Sequence, residues 1–233
     1  MEVIAITDKG LVRQNNEDSY LVDEAHDLLV ICDGMGGHNG GEVASSISVS
    51  VIKQEFTDRE DIAGELQRVV EKANTAVWSQ AQKDPSLHGM GTTVTAAVYR
   101  EGNLFIAHVG DSGLYLIGSG IRKVTRDHTL AEQLLADGVL KPEDMHSNPY
   151  NHILTRALGV EEQIVIDHYQ EKVQRGDVVL LCSDGLSDLV SETEIYALVQ
   201  EGEPPLQEAA RSLVDRALSY GGSDNITAIL SRI

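Results

Sequence analysis

Residues 92–118 read TTVTAAVYREGNLFIAHVGDSGLYLIG. The runs TTVTAAVYR, NLFIAHVGD and SGLYLIG are rich in β-branched and aliphatic residues, the composition of strands. Only very short polar breaks separate them, and Glu101-Gly102-Asn103 reads as a hairpin turn, so the stretch predicts an antiparallel meander. Outward from it the pattern repeats in blocks. EVIAITD (2–8), SYLVD (19–23) and DLLVICD (27–33) are strand-like runs bounded by Gly, Asn and Asp. From Glu42 to about Phe56, and from about Asp61 to Gln82 through Ile62, Leu66, Val69, Val70, Ala73 and Val77, apolar residues recur at three and four, which predicts two amphipathic helices. After the meander, QIVIDHYQ (163–170) and DVVLLCSD (177–184) read as strands. LQEAARSLVDRALSYGG (206–222) reads as a helix with a glycine cap, and NITAILSRI (225–233) as a last strand. Strand blocks with hairpin-length connections, interleaved with helices, favour an α+β fold of antiparallel sheets covered by helices over a doubly wound parallel sheet.

The chain has 233 residues, 42% of them hydrophobic, enough to bury one core as a single domain over 1–233. Its 37 Asp and Glu against 18 Lys and Arg give a formal charge of −19, which repels nucleic acid and anionic membrane surfaces. No window approaches the roughly 18 apolar residues of a membrane span, and MEVIAITDKG lacks an export signal, so a soluble, cytoplasmic monomer is expected. Cys32 and Cys182 sit inside aliphatic runs and read as buried thiols in a reducing compartment. Residues 130–152, LAEQLLADGVLKPEDMHSNPYNH, start helically and are then broken by Pro142 and Pro149. They read either as a functional insertion at a site's edge or as an ordinary surface excursion.

Three strand-like runs end in an acid: LLVICDG at Asp33, IAHVGD at Asp111 and VLLCSDG at Asp184. A carboxylate at the tip of a buried strand is costly unless something positive compensates it. Cations are scarce in the flanking sequence, so a divalent metal is the economical partner, and oxygen-only ligands select Mg²⁺ or Mn²⁺ over zinc. Glycine after Asp33 and Asp184 allows a sharp turn and a close approach of a carbonyl, that of Gly34, to an ion. One Asp-Gly pair is more often a plain turn. The signal is the set: Asn16-Glu17-Asp18, Asp33-Gly34-Met35-Gly36-Gly37-His38, Gly110-Asp111-Ser112, Ser183-Asp184-Gly185 and Asp224-Asn225.

With these residues the chain resembles the PPM or PP2C-type metal-dependent serine/threonine protein phosphatases in their compact bacterial form. The resemblance runs from Thr7 to the end, through RQNNED, DGMGGH, GTT, VGDS, DHT, TRALG, CSDGL and SDNIT in the family's order. It implies a four-layer αββα fold, a β-sandwich of two antiparallel sheets flanked by pairs of helices. Metals would lie in a cleft at one end, and residues 130–152 would form a flap beside it. Carried over residue by residue, it makes Asp33 the carboxylate bridging two Mn²⁺ or Mg²⁺ ions, with the Gly34 carbonyl on the first and Asp184 and Asp224 on the second. Glu17 and Asp18 would act through metal-bound waters. Asp111, assisted by Asp188, matches a third, weaker site, Arg13 the phosphate-binding arginine, and His38 is the candidate acid for the leaving alkoxide.

The activity this implies is hydrolysis of phosphoserine and phosphothreonine in proteins, substrates of a Ser/Thr kinase, by attack of a metal-bridged hydroxide without a phosphoenzyme. Neither cysteine lies in a Cys-x5-Arg loop, consistent with that chemistry. The chain departs from the family at Gly113, where Gly-Asp-Ser is usually followed by Arg, and at Met35, where some members have His. Two other readings stand beside this one. One is a non-catalytic phosphoprotein-binding module of the same fold, separable by a phosphatase assay with Mn²⁺. The other is a different metal-dependent phosphoester hydrolase; the net charge disfavours a nuclease, and Asp33-Gly34-Met35 lacks the Asp-x-Asp of aspartyl-phosphate enzymes.

Overall fold

The computed structural model describes residues 2–36, 40–141 and 148–233. Its strands are β1 (Glu2–Asp8), β2 (Asp18–Asp23), β3 (Leu28–Met35), β4 (Gly91–Thr92), β5 (Val94–Arg100), β6 (Asn103–Val109), β7 (Gly113–Ile117), β8 (Ile121–Lys123), β9 (Asp167–Lys172), β10 (Val178–Cys182) and β11 (Ile226–Arg232). The helices are α1 (Gly40–Glu55), α2 (Ile62–Lys83), α3 (Leu130–Ala136), α4 (Asp184–Ser187), α5 (Glu192–Gln200) and α6 (Leu206–Ser219). One sheet runs β1-β11-β10-β7-β8 and the other β2-β3-β5-β6-β9, with the short β4 paired to β3. Every pairing is antiparallel.

The stretch 92–118 is divided between the two sheets. β5 and β6 form a hairpin closed by Glu101-Gly102, both at positive φ (49° and 78°), as a two-residue turn of this hand requires. The third run does not continue the meander: β7 pairs with β10 and β8 in the opposite sheet. The chain crosses the sandwich at Gly110-Asp111-Ser112, between β6 and β7. A hairpin and a sheet-to-sheet crossing have the same strand-break-strand pattern, and only the partners available in space separate them.

Alternation along the strands feeds distinct cores. In β3, Leu29 and Ile31 face the layer between the sheets, where they meet Leu104, Ile106, Leu114, Leu181 and Ile229. Leu28, Val30 and Cys32 face the other way, against Ile52 of α1 and Leu66, Val69 and Val70 of α2. On the opposite side, Leu180, Cys182, Ala228 and Leu230 pack under Ile195 of α5 and Leu213 and Val214 of α6. The expected αββα layering is therefore present, and it explains why the central strands read as unbroken aliphatic runs: both of their faces are buried. Cys32 and Cys182 are free, buried and in different cores, so they do not pair.

The helices begin on sequence signals. Asp61 Oδ1 accepts from Gly64 N at 2.9 Å at the start of α2, and Ser191 and Glu194 form a capping box on α5. α5 and β8 were not anticipated. QIVIDHYQ becomes a strand only from Asp167, because Ile164 and Ile166 pack against the core under α1 and α2 before β9 begins. Within 130–152, α3 is capped by Thr129, and the segment's two ends are stitched together by Leu130 N to Ile153 O at 2.8 Å and Thr155 N to His128 O at 2.8 Å. Residues 142–147 lie outside the described residues.

Candidate metal centre

The acids singled out in the sequence gather at one end of the sandwich. Asp33, near the end of β3, lies opposite Asp18, the first residue of β2, in the strand register. Its backbone is pinned by the GTT motif: Asp33 N donates to Thr93 Oγ1 at 2.9 Å, and Asp33 O accepts from Thr93 N at 2.8 Å and Thr92 Oγ1 at 2.9 Å. Thr93 Oγ1 also lies 2.7 Å from Ser112 Oγ, beside Asp111, so one threonine couples two of the acid-bearing segments. Asp184 opens α4 directly after β10. Asp224 precedes β11, with its Oδ1 2.8 Å from Asn225 N.

Gly34 sits within β3 rather than in the expected turn, and another constraint fixes its identity. A Cβ there would lie 2.1 Å from Gly41 O and 2.6 Å from Glu17 O, both backbone atoms. Only a residue without a side chain lets the start of α1, the Glu17 loop and β3 close upon one another. The Gly34 carbonyl, the expected ligand, packs against Gly41 there, next to the Glu17 carboxylate.

Electrostatically the cluster is unbalanced as it stands. Burial, and then the charges of Asp18, Asp184, Asp111 and Asp224, push the Asp33 carboxyl well above the usual carboxylate range. Burial pushes Asp184 up to about 7, with Asp188 and Asp224 adding to it. Asp18 is pushed up to about 6 by burial, against the hydrogen bonds that Thr227 Oγ1 (2.6 Å) and Ser183 Oγ (2.8 Å) donate to its Oδ2. Among the described residues, the other oxygen of Asp18 and Oδ1 of Asp184 are buried without any hydrogen-bond donor. Acceptors left bare in a set made only of oxygens, beside carboxylates that repel one another, are what a hard divalent cation satisfies, so these residues fit Mn²⁺ or Mg²⁺.

Arg13, in the loop before β2, reaches the cluster from its rim, with Nη2 2.6 Å from Asp224 Oδ2 and its side chain half exposed. Its loop is held by Asn225, which donates through Nδ2 to Lys9 O and Asn15 O, each at 2.9 Å, and accepts from Glu17 N at 2.8 Å. Asn225 was visible as part of SDNIT but not as a positioning residue; two hundred residues of chain separate it from the carbonyls it binds. Outward from Asp184, a cavity of 730 Å³ is lined by Asp111, Lys123, Asp127, His152, Asp184 and Asp188. Asp111 is 9% exposed, and His152 Nδ1 stands 3.2 Å from Asp188 Oδ2. Ligand atoms of His152, Asp184 and Asp188 lie within 4.8 Å of one another. His152 and Lys123 carried no sequence signal. Arg13, Glu17, Asp18, Asp33, Gly34, Asp111, Asp184, Asp188 and Asp224 are all brought to this end of the molecule, whereas His38 lies outside the described residues.

The sequence matches the family described as Protein phosphatase 2C over residues 9–230. The chain belongs to that family. It is 38% identical over 234 residues to the serine/threonine phosphatase stp of Listeria monocytogenes serotype 4b (strain F2365), covering 96% of this chain and 92% of that protein. The crystal structure of the Mycobacterium tuberculosis serine/threonine phosphatase PstP/Ppp superposes with a TM-score of 0.93 at 37% identity, covering 100% of this chain and 98% of that one. The catalytic domain of PstP in complex with two manganese ions gives a TM-score of 0.90 at 35% identity, covering 99% of this chain and 97% of that one. As a protein phosphatase 2C, the chain is a metal-dependent serine/threonine phosphatase that uses Mn²⁺ or Mg²⁺ and acts on phosphoproteins. Among the described residues no helix is long and apolar enough to cross a membrane.

Proposed function

We propose that the phosphatase acts as a cytoplasmic, single-domain monomer on targets of a Ser/Thr kinase, with Asp33 bridging the two tight cations. The Gly34 carbonyl completes one site, and Asp184 and Asp224 hold the other. Asp111 and Asp188 would hold a third, weaker cation, and Glu17 and Asp18 would orient the water bound to the tight pair. The reading rests on the convergence of Asp18, Asp33, Asp184 and Asp224 with bare buried oxygens beside a half-exposed arginine.

When bound, the two cations supply a water of lowered pKa and offset charge on the phosphoryl oxygens. The chain does the rest. Arg13 exchanges its Asp224 partner for two phosphate oxygens and so aligns the ester for in-line displacement. Ser183 and Thr227 hold Asp18 in one orientation by donating to a single oxygen, leaving the other turned to the cluster. His38 is the candidate proton donor to the departing serine or threonine oxygen. Thr129, Asn151 and His152 line the outer cavity, which supports a role for residues 130–152 as a flap that contacts the protein part of the substrate.

The test is turnover of a phosphothreonine peptide with Mn²⁺, with chelator, and in Asp33→Asn. Activity should vanish with chelator and return with metal. Asp33→Asn should cost roughly 100-fold or more, because a charge shared between both ions is lost. Full activity of the chelated protein, or of Asp33→Asn, defeats the assignment.

A further inference from the structure

Position 113 carries no side chain, yet the space beside it is filled. A Cβ built on Gly113 would meet Tyr115 Cε2 at 2.7 Å and Lys123 Cε at 3.3 Å. Lys123 comes from the neighbouring strand, β8, where it pairs in register with Tyr115 of β7. Its side chain is only 24% exposed, and its ammonium stands 2.7 Å from either carboxylate oxygen of Asp127 and 5.7 Å from the centre of the Tyr115 ring. The Tyr115 ring is the nearer obstacle to a side chain at 113, and the stem of Lys123 is the next neighbour, in tight contact.

We infer that Lys123, beside the side-chain-free position 113, is the fixed cation of the outer acidic cavity, and that it keeps cation binding at Asp111 and Asp188 weak. The inference rests on Asp111 and Asp188 being the outer ligands. Lys123, Asp111 and Asp188 line the same cavity. The Lys123 charge favours the ionised form of both carboxyls, although burial and the neighbouring acids outweigh it at each. Burial alone would lower the Lys123 pKa, but Asp127 holds it above the ordinary lysine value, so the charge is permanent at working pH. A fixed positive charge in a cavity of carboxylates repels any further cation that enters. Against a divalent ion the repulsion is doubled. The inner pair is less affected, because Asp33 and Asp224, unlike Lys123, do not line this cavity. Asp127 is the counterweight: by neutralising Lys123 it sets how much of that repulsion the outer site feels.

The experiment is calorimetric titration of Mn²⁺ into the folded protein, following the weak phase after the tight sites are filled. Lys123→Met should tighten the weak phase by about tenfold and leave the tight phase as in the wild type, while Lys123→Arg keeps the wild-type affinity. Asp127→Asn, which frees the Lys123 charge, should move the weak phase the opposite way. A purely structural role would shift Lys123→Met and Asp127→Asn in the same direction, and that result, or an unchanged weak phase in Lys123→Met, overturns the inference. Should Lys123→Met fail to fold, Lys123→Gln replaces it, with the same tightening of the weak phase expected and an unchanged weak phase overturning the inference. Asp111→Ala separates the two levels. If it abolishes the weak phase, the outer site stands whatever Lys123 does; if the wild type has no weak phase that Asp111→Ala removes, the outer-site assignment fails and takes the inference with it.

Discussion

Replacing Gly34 by alanine adds one methyl group at the point where three segments meet. That methyl would lie 2.1 Å from Gly41 O, 2.4 Å from Gly41 C and 2.6 Å from Glu17 O. A carbon and a carbonyl oxygen pack no closer than about 3.2 Å, so relief requires a relative displacement of about 1 Å. All three obstacles are backbone, and no rotamer change can provide it. The Glu17 carbonyl is itself engaged by Gly34 N at 3.2 Å and Ser45 Oγ at 2.6 Å, so moving it breaks those bonds as well. Overpacking a close-packed interior costs about 1–3 kcal/mol and sometimes more, and obstruction on two sides places this case at about 3 kcal/mol. For a domain of this length each kcal/mol lowers Tm by about 2–4 °C, giving a fall of about 6–12 °C. Because Asp33 is the preceding residue, a displacement of this size should also lower kcat on the order of 100-fold. Thermal melting and Mn²⁺-dependent hydrolysis of p-nitrophenyl phosphate measure the two effects. Gly120→Ala is the control, since a Cβ there meets nothing within 4 Å. A Gly34→Ala protein that melts within about 2 °C of wild type and turns over within about threefold of it would show that the close approach does not position Asp33.

Asn225→Ala should destabilise by about 1–3 kcal/mol, because Glu17 N and the carbonyls of Lys9 and Asn15 lose their partner at a buried residue. It should also raise KM through the loosened Arg13 loop; an unchanged KM would sever the proposed link. The pH dependence of the metal-free protein follows from carboxyls whose folded pKa is raised, Asp18 to about 6 and Asp184 to about 7. Their stabilisation is fully present below the unfolded carboxylate pKa and is lost as pH rises through about 7. In chelator the Tm should therefore fall between pH 5 and pH 8, and Mn²⁺ should restore most at pH 8. Calorimetry in buffers of different ionisation enthalpy should find more protons released by Mn²⁺ at pH 6 than at pH 8, and equal release at both would contradict the raised values.

How far the sequence could be read depended on whether the signal was local. Asp33, Asp184 and Asp224 were legible because each is the polar end or start of an aliphatic strand, and a strand's end is where a buried run must meet solvent or a ligand. α1, α2 and α6 were legible because a helix that covers a sheet must repeat its apolar residues at its own period. β8 escaped because three residues are too few to show any period, and α5 because its nine residues carry the capping signal but a short apolar stripe.

Composition and pattern alone determined an α+β chain of antiparallel sheets with acids at strand tips, since burial on both faces and the cost of a naked carboxylate act through neighbours in sequence. The tertiary structure decided everything that depends on which distant segments meet. It sent β7 across the sandwich instead of continuing the hairpin, and made Gly34 a point of contact rather than a turn. It also set Asn225 under the Arg13 loop and brought Lys123 into the space beside Gly113. Those pairings are fixed by the packing of two sheets against each other, a property of volumes and distances in space that no single stretch of the chain records.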